Sequence, residues 1–215
     1  MKQLHIAVCV LLTIAAAIAT VICCPGLPPT VPMHFGFDGT PDGYGPREML
    51  WLLGPGLMGA MLGIGLGLPW LSPKRFEVNS FKGTYSYFIV VIVVMLGLFY
   101  AALLHALLNG SQSMHRIAAL GVFMLLILLG NPMGKVQRNF YIGVKTPWTL
   151  ASERVWYATH RLCARLMVGS GLLGLVALSV GAPTSILIAL ACSWSVIVVL
   201  FSLLRYKSLE RAGQL

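Results

Sequence analysis

The sequence predicts an all-α, polytopic integral membrane protein with six transmembrane helices. Of the 215 residues, 58% are hydrophobic and 10% are charged, and the mean hydropathy is +0.85. Soluble domains carry about a quarter of their residues as charged side chains. Apolar runs near 20 residues, the length that crosses the hydrocarbon core of a bilayer, recur along the chain. The basic residues fall mainly on alternate connections between these runs, which orients the bundle.

Each apolar run defines one expected helix. The runs are Leu4 to Cys24, Leu50 to Leu71, Tyr87 to Leu108, Ile117 to Gly130, Ala164 to Val180 and Thr184 to Leu204. The fourth and fifth runs are short, so we expect these helices to extend into their flanks.

The distribution of Lys and Arg predicts that both termini are cytoplasmic. With the N-terminus inside, only Arg47 and Arg116 of the fifteen basic residues fall outside. Positively charged loops stay in the cytoplasm, so the reverse orientation is disfavoured. The net charge of +9 is thereby assigned to topology and to contact with anionic membrane lipids rather than to direct nucleic-acid binding. No motif predicts a cofactor.

Two domains are predicted. Residues 1–72 form a two-span unit with a Pro/Gly-rich extracytoplasmic loop at 25–49. Residues 73–215 form a four-span unit with a cytoplasmic segment at 130–165 that is rich in polar and aromatic residues.

The loop at 25–49 is predicted to fold back on itself, because its Pro residues and Asp-Gly pairs favour turns. Its candidate binding residues are His34, Phe35, Asp38, Asp42 and Tyr44. In one interpretation the carboxylates cap turns. In another, His34, Asp38 and Asp42 converge on a cation, although their spacing matches no metal motif. In a third, the loop recognises a molecule outside the cell.

The cytoplasmic segment combines two helical patterns. Asn131, Lys135, Arg138 and Asn139 would share one polar face if this piece were helical. Thr146 and Pro147 are typical of an N-cap and a first helical residue, which predicts an amphipathic interfacial helix that leads into the fifth span. The candidate binding residues are Asn131, Lys135, Arg138, Asn139, Thr146, Trp148, Glu153, Trp156, His160 and Arg161.

Two interpretations of this segment stay open. It could be an interfacial helix whose Arg residues bind lipid phosphates and whose Trp residues sit at headgroup depth. Alternatively, it could be a docking surface for a cytoplasmic partner, since its polar content exceeds what anchoring requires.

The second span carries two overlapping G-x-x-x-G repeats at Gly59, Gly63 and Gly67. Small residues at this spacing let a second helix approach closely. We expect this face to pack inside the bundle, with dimerisation as the alternative.

Motifs in both loops resemble the SdpI family of membrane immunity proteins. The cytoplasmic motifs are Gly130-Asn131, Met133-Gly134-Lys135, Arg138-Asn139, Ile142-Gly143, Lys145 to Leu150, Ser152-Glu153, Val155-Trp156 and Thr159-His160-Arg161. The extracytoplasmic motifs, Pro32-x-His34-Phe35 with Gly39, Pro41-Asp42 and Tyr44-Gly45, resemble the N-terminal domain common in these proteins.

This resemblance implies immunity to a secreted peptide toxin that attacks the bacterial plasma membrane. It also implies signalling in which a cytoplasmic transcriptional repressor is held at the membrane, and it supplies no catalytic residue. The alternatives are a membrane enzyme, metal-dependent or not, that uses His34 with Asp42 or His160 with Glu153, and a small transporter. Against the enzyme, the sequence contains no hydrolase or metalloprotease motif. Against the transporter, the spans contain almost no polar groups that could line a transport path.

Overall fold

The structure is a computed structural model that describes residues 1–36, 38–71, 81–110 and 114–215. Over these residues the chain forms seven α-helices and one antiparallel pair of strands. The helices are α1 (Gln3–Cys23), α2 (Leu57–Leu71), α3 (Lys82–Asn109), α4 (Met114–Met133), α5 (Pro147–Ala151), α6 (Glu153–Ser179) and α7 (Thr184–Arg211). The strands are β1 (Thr30–Phe35) and β2 (Pro41–Pro46).

Within the described ranges, six helical stretches are long and apolar enough to cross a membrane. They are Gln3–Gly26, Arg47–Leu71, Lys82–Asn109, Met114–Met133, Glu153–Ser179 and Thr184–Arg211. The predicted all-α polytopic membrane architecture is confirmed. The cytoplasmic termini stay a prediction, and Lys74 and Arg75, which contribute to it, lie outside the described residues.

Several helix boundaries differ from the apolar runs. The second span enters α2 through a 3₁₀ turn at Arg47–Met49 and a π-helical turn at Leu52–Gly56, which accommodates Pro55. Helix α4 continues through Pro132 to Met133 instead of ending at Gly130. Helix α6 begins at Glu153, so the predicted extension of the fifth run into its flank is large.

One compact unit comprises Met1–Leu66 and Ile89–Gly121. Inside it the hydroxyls of Thr20 and Tyr100 lie 2.5 Å apart, a hydrogen bond between α1 and α3. Gly54 of the π-helical turn lies against the Tyr100 ring, since a Cβ at this position would overlap that ring. These contacts connect α1, α3 and the entrance to α2.

The G-x-x-x-G face of α2 is not used in the way that the spacing predicts. Among the described residues, nothing lies within 4 Å of a Cβ built on Gly63 or Gly67, and the nearest atom to one on Gly59 is Thr13 Cγ2 at 3.9 Å. Close helix approach occurs instead at Gly65, where a Cβ would lie 2.8 Å from Ile89 Cγ2. The prediction that this face packs inside the bundle is therefore wrong.

The second compact unit comprises Gly67–Phe88 and Val122–Leu215. Helix α4 packs on α6 at glycines, because the buried Phe123 ring occupies the space that a Cβ on Gly174 would need. Both units are discontinuous in sequence, whereas the predicted domains, 1–72 and 73–215, are continuous. That division stays a prediction.

The Pro/Gly-rich loop forms the hairpin of β1 and β2. Its turn is closed by a hydrogen bond from the Gly36 amide to the Thr40 carbonyl at 2.8 Å, and Gly39 adopts a left-handed φ of 84°. At the base of the hairpin, the Arg47 guanidinium donates to the Leu27 carbonyl at 2.7 Å. The hairpin is therefore closed at both ends by hydrogen bonds.

Candidate functional site

The segment between α4 and α5, residues 134–146, is organised by Asn139. This side chain is fully buried, and its amide nitrogen donates to the carbonyls of Gln137 (2.7 Å) and Ile142 (3.1 Å). Its amide oxygen accepts from the backbone N–H groups of Tyr141 and Ile142, both at 2.7 Å. Asn139 thus supplies the hydrogen bonds that a non-helical backbone lacks. We call residues 134–146 the α4–α5 loop.

This loop contradicts the helical reading of the segment. Helix α4 ends at Met133 and the next helix begins at Pro147. Consequently Asn131 and Lys135 are exposed while Asn139 faces inward, and the four residues do not share one face. The local hydrogen bonds of the Asn side chain compete with helix formation at this point.

Two aromatic side chains of α6 form hydrogen bonds with the backbone of the loop. Trp156 is fully buried, and its indole N–H donates to the Val136 carbonyl at 2.7 Å. The Val144 N–H donates to Nε2 of the buried His160 at 3.0 Å. The His160 and Trp156 rings are stacked, with centroids 4.0 Å apart.

The protonation pattern of His160 follows from its two partners. Nε2 accepts from an amide, so the ring proton is on Nδ1, which lies 2.8 Å from the Trp156 carbonyl oxygen. A ring with both nitrogens bonded in this way is the neutral tautomer. His160 therefore connects the loop to α6 within the protein interior.

Gly143 permits the approach of loop and ring. Its φ is +116°, a region that L side chains rarely adopt, and a Cβ there would overlap Nε2 of His160. A larger residue could not keep the bond between Val144 and His160.

Helix α5 begins with the cap that the sequence predicts. The Thr149 N–H donates to Thr146 Oγ1 at 3.2 Å, and the Thr146 N–H donates to Thr149 Oγ1 at 2.9 Å, a reciprocal capping box. Thr146 Oγ1 also lies 3.1 Å from Ser202 Oγ of α7. The helix is short, because Ser152 is extended and interrupts it before Glu153 starts α6.

Arg138 joins the loop to this interruption. Its guanidinium donates to the Leu150 carbonyl at 3.1 Å and to Glu153 Oε1 at 3.3 Å, and its side chain is 12% exposed. The carboxylate is 65% exposed, so this ion pair lies at the surface of the protein. Glu153 thus bonds to Arg138, whereas His160 bonds to the backbone of Val144 and Trp156, and no hydrogen bond joins Glu153 to His160 among the described residues.

The predicted site residues of this segment therefore differ in burial. Asn139, Thr146, Trp156 and His160 are buried and form a framework, while Asn131, Lys135, Glu153 and Arg161 are exposed. Trp148 and Arg138 are intermediate. Further exposed basic residues of the loop and of α6 are Lys145, Arg154 and Arg165. We call Lys135, Lys145, Arg154, Arg161 and Arg165 the basic surface.

The predicted binding residues of the hairpin have different hydrogen-bond partners. His34 Nδ1 and Asp42 Oδ1 lie 2.5 Å apart on an exposed surface. Asp38 Oδ1 accepts from the Thr40 N–H (3.0 Å) and hydroxyl (2.7 Å), and these bonds hold the pKa of the Asp38 carboxyl below its usual value. Asp38 thus caps the turn, as one interpretation predicts.

The remaining hairpin residues differ in exposure. Phe35 is half-buried, whereas Tyr44 is 64% exposed. In the part of the chain that the structure describes, no group of three or more His, Cys, Asp or Glu side chains could hold a metal ion.

Three residues of these sites are absent from the predicted set. Thr149 carries half of the capping box, and its spacing from Thr146 is a sequence signal that could have found it. Gly143 is essential to the contact with His160, but a glycine alone gives no such signal. His115 faces a cavity beside the hairpin turn, and nothing in the sequence connects it to Asp38.

Comparisons with known proteins find family matches in two parts of the chain. Residues 135–202, which contain the α4–α5 loop, match the model of the SdpI/YfhL protein family. Residues 11–59, which contain the hairpin, match a domain of unknown function, DUF1648. The region at 135–202 is therefore similar to the SdpI/YfhL family, in a chain whose described residues include six helical stretches long and apolar enough to cross a membrane.

A curated relative is the immunity protein SdpI of Bacillus subtilis (strain 168), to which the chain is 42% identical over 55 residues. The matched stretch covers 26% of this chain and 27% of the relative, so the chain spans about a quarter of that protein's length. No solved structure matches.

Proposed function

We propose that this chain is an immunity protein of the bacterial plasma membrane that protects the cell from a secreted, membrane-active peptide toxin. The observation that carries the proposal is the 42% identity to an immunity protein, together with the family match over the α4–α5 loop. The hairpin recognises the toxin outside, and the α4–α5 loop acts on the cytoplasmic side.

The basic surface is the part of the loop region suited to a cytoplasmic partner. Its five exposed cations lie on the α4–α5 loop and on α6, and Glu153 at the start of α6 is already paired with Arg138. Such a surface attracts an acidic partner and anionic headgroups alike. We place the docking of a cytoplasmic repressor here, with the buried framework of Asn139 and His160 setting the geometry.

A membrane enzyme is disfavoured by the same contacts. A general base must reach the substrate proton, yet His160 is fully buried and both ring nitrogens have backbone partners. Glu153, the suggested second group, pairs with Arg138. These contacts therefore argue against catalysis by His160 with Glu153.

The test of immunity is survival of a sensitive bacterium exposed to a secreted membrane-active peptide. Cells that express this chain are expected to survive a dose that kills cells with an empty vector. Equal killing at verified membrane expression would contradict the proposal.

The test of the basic surface uses exposed positions, because His160→Ala would also disrupt the framework. Lys135→Ala with Arg161→Ala is expected to reduce protection at least several-fold. Arg205→Ala with Arg211→Ala is the control, since it removes the same charge from exposed positions of α7. If both double variants protect equally at equal protein levels, the basic surface has no specific role in protection.

A further inference from the structure

A cavity of about 610 Å³ lies between the hairpin turn and the facing ends of α3 and α4. Its apolar lining comes from Pro32 and Phe35 of β1 and from Leu107 of α3. Its polar lining includes Asp38 of the turn and His115 of α4. The sequence places these two polar residues far apart, and the fold brings them to one cavity.

The Asp38 carboxylate is anionic and retains bonding capacity. Both hydrogen bonds from Thr40 go to Oδ1, and Oδ2 accepts none from the described residues. Because those bonds favour the charged form and lower the pKa of Asp38, the cavity keeps a negative charge well below neutral pH.

A second carboxylate lies near the first. A Cβ built on Gly36 would lie 2.9 Å from Asp38 Oδ1 and 3.4 Å from Asp42 Oδ2, so the two side chains converge over this glycine. Three of the chain's six acidic residues fall between positions 25 and 49, namely Asp38, Asp42 and Glu48. Because Glu48 pairs with Arg47, the negative charge beside the cavity comes from Asp38 and Asp42.

His115 supplies an unsatisfied group. Its Nδ1 is buried and has no hydrogen-bond partner among the described residues. A buried polar atom without a partner is unfavourable, and such atoms in native proteins call for an explanation, such as a bound ligand. His115 lines the same cavity as Asp38, so its ring would contact a ligand that bonds to Asp38 Oδ2.

We infer that this cavity binds a cationic side chain of a peptide, a Lys ammonium or an Arg guanidinium, whose apolar stem packs against Phe35, Pro32 and Leu107. The described residues offer no group of three metal-binding side chains, which favours an organic cation over a metal ion. The inference rests on the proposed function and deepens it, because it locates the recognition of the toxin and gives the chemistry recognised.

Benzamidine is the probe, since it joins a planar cation to an apolar ring, and benzamide is its neutral analogue. Calorimetry with the full chain in phosphatidylcholine nanodiscs is expected to show saturable binding of benzamidine and none of benzamide. Asp38→Asn should weaken benzamidine binding about tenfold or more, as the loss of a charge-assisted hydrogen bond implies. His115→Phe, which keeps ring volume, should weaken it as well.

Glu48→Gln is the matched control, because it removes one exposed carboxylate of the same segment that does not line the cavity. It should bind benzamidine like the unmodified chain. Unchanged binding in both Asp38→Asn and His115→Phe, in chains with unchanged helical circular dichroism, would overturn the inference, and so would equal binding of benzamide.

The survival of bacteria exposed to the peptide distinguishes a failure of this inference from a failure of the proposed function. Protection that persists in Asp38→Asn at the level of the unmodified chain overturns the role of the cavity and leaves immunity standing. Benzamidine binding that depends on Asp38, in a chain that protects against no peptide, supports the cavity and contradicts immunity.

Discussion

At the scale of single residues, the α4–α5 loop depends on side chains that bond to backbone. Asn139 makes four such bonds, Trp156 one and His160 two. Buried polar groups that are fully bonded specify one conformation, whereas a group left without its partner is costly. The most distinctive residues of the segment are therefore structural, and partners can reach only the side chains around them.

Gly143→Ala tests the contact between the loop and His160. The left-handed φ and the overlap with the His160 ring should force the loop away and break the bond from Val144. We expect a loss of about 2–4 kcal/mol in the free energy of unfolding, from backbone strain and a lost hydrogen bond. Denaturation in detergent, followed by circular dichroism, measures it.

Gly134→Ala is the control for this change. A Cβ on Gly134 would lie 3.6 Å from Arg161 Cγ, an ordinary contact, and its φ is not positive. Similar unfolding free energies for the two variants would show that the loop does not depend on Gly143.

At the scale of helices, α4 and α6 are paired by glycines and one ring. Phe123 is 1% exposed and fills the space above Gly174, and its carbonyl oxygen would lie 2.8 Å from a Cβ on Gly171. Where apolar burial contributes little between helices in lipid, such close contact supplies much of the association energy.

Gly174→Ala should therefore separate α4 from α6. The added methyl group would overlap the Phe123 ring, and we expect overpacking to lower stability by about 1–3 kcal/mol. Thermal unfolding in detergent is the measurement. In the same helix, Gly169→Ala has open space around its Cβ among the described residues and should leave the unfolding temperature within a degree or two. A smaller effect at position 174 than at 169 would refute this account of the packing.

At the scale of the whole molecule, the number of spans determines which loops share a compartment. If each of the six apolar stretches crosses the membrane, the hairpin and the α4–α5 loop lie on opposite sides. The excess of Lys and Arg near the α4–α5 loop predicts that this loop is cytoplasmic.

Single-cysteine variants test this topology in a chain whose five native cysteines are replaced by alanine. Tyr44→Cys, at a position 64% exposed, should react with a membrane-impermeant maleimide in intact cells. Lys145→Cys, also exposed, should react only after permeabilisation. The cysteine-free chain is the control for background labelling. If both positions react from the same side, either the hairpin is not extracytoplasmic or the α4–α5 loop is not cytoplasmic, and the role proposed for that region is wrong.

The sequence by itself determined the membrane architecture and the start of α5. Apolar runs follow from the thickness of the bilayer, and the Thr146 cap depends on residues three positions apart, so both can be predicted locally. The tertiary structure alone decided that Asn139 and His160 face inward, that Gly65 rather than Gly63 meets a neighbouring helix, and that Asp38 and His115 share a cavity. These facts depend on contacts between residues distant in sequence, and a periodic pattern shows only that a face exists, not what packs against it.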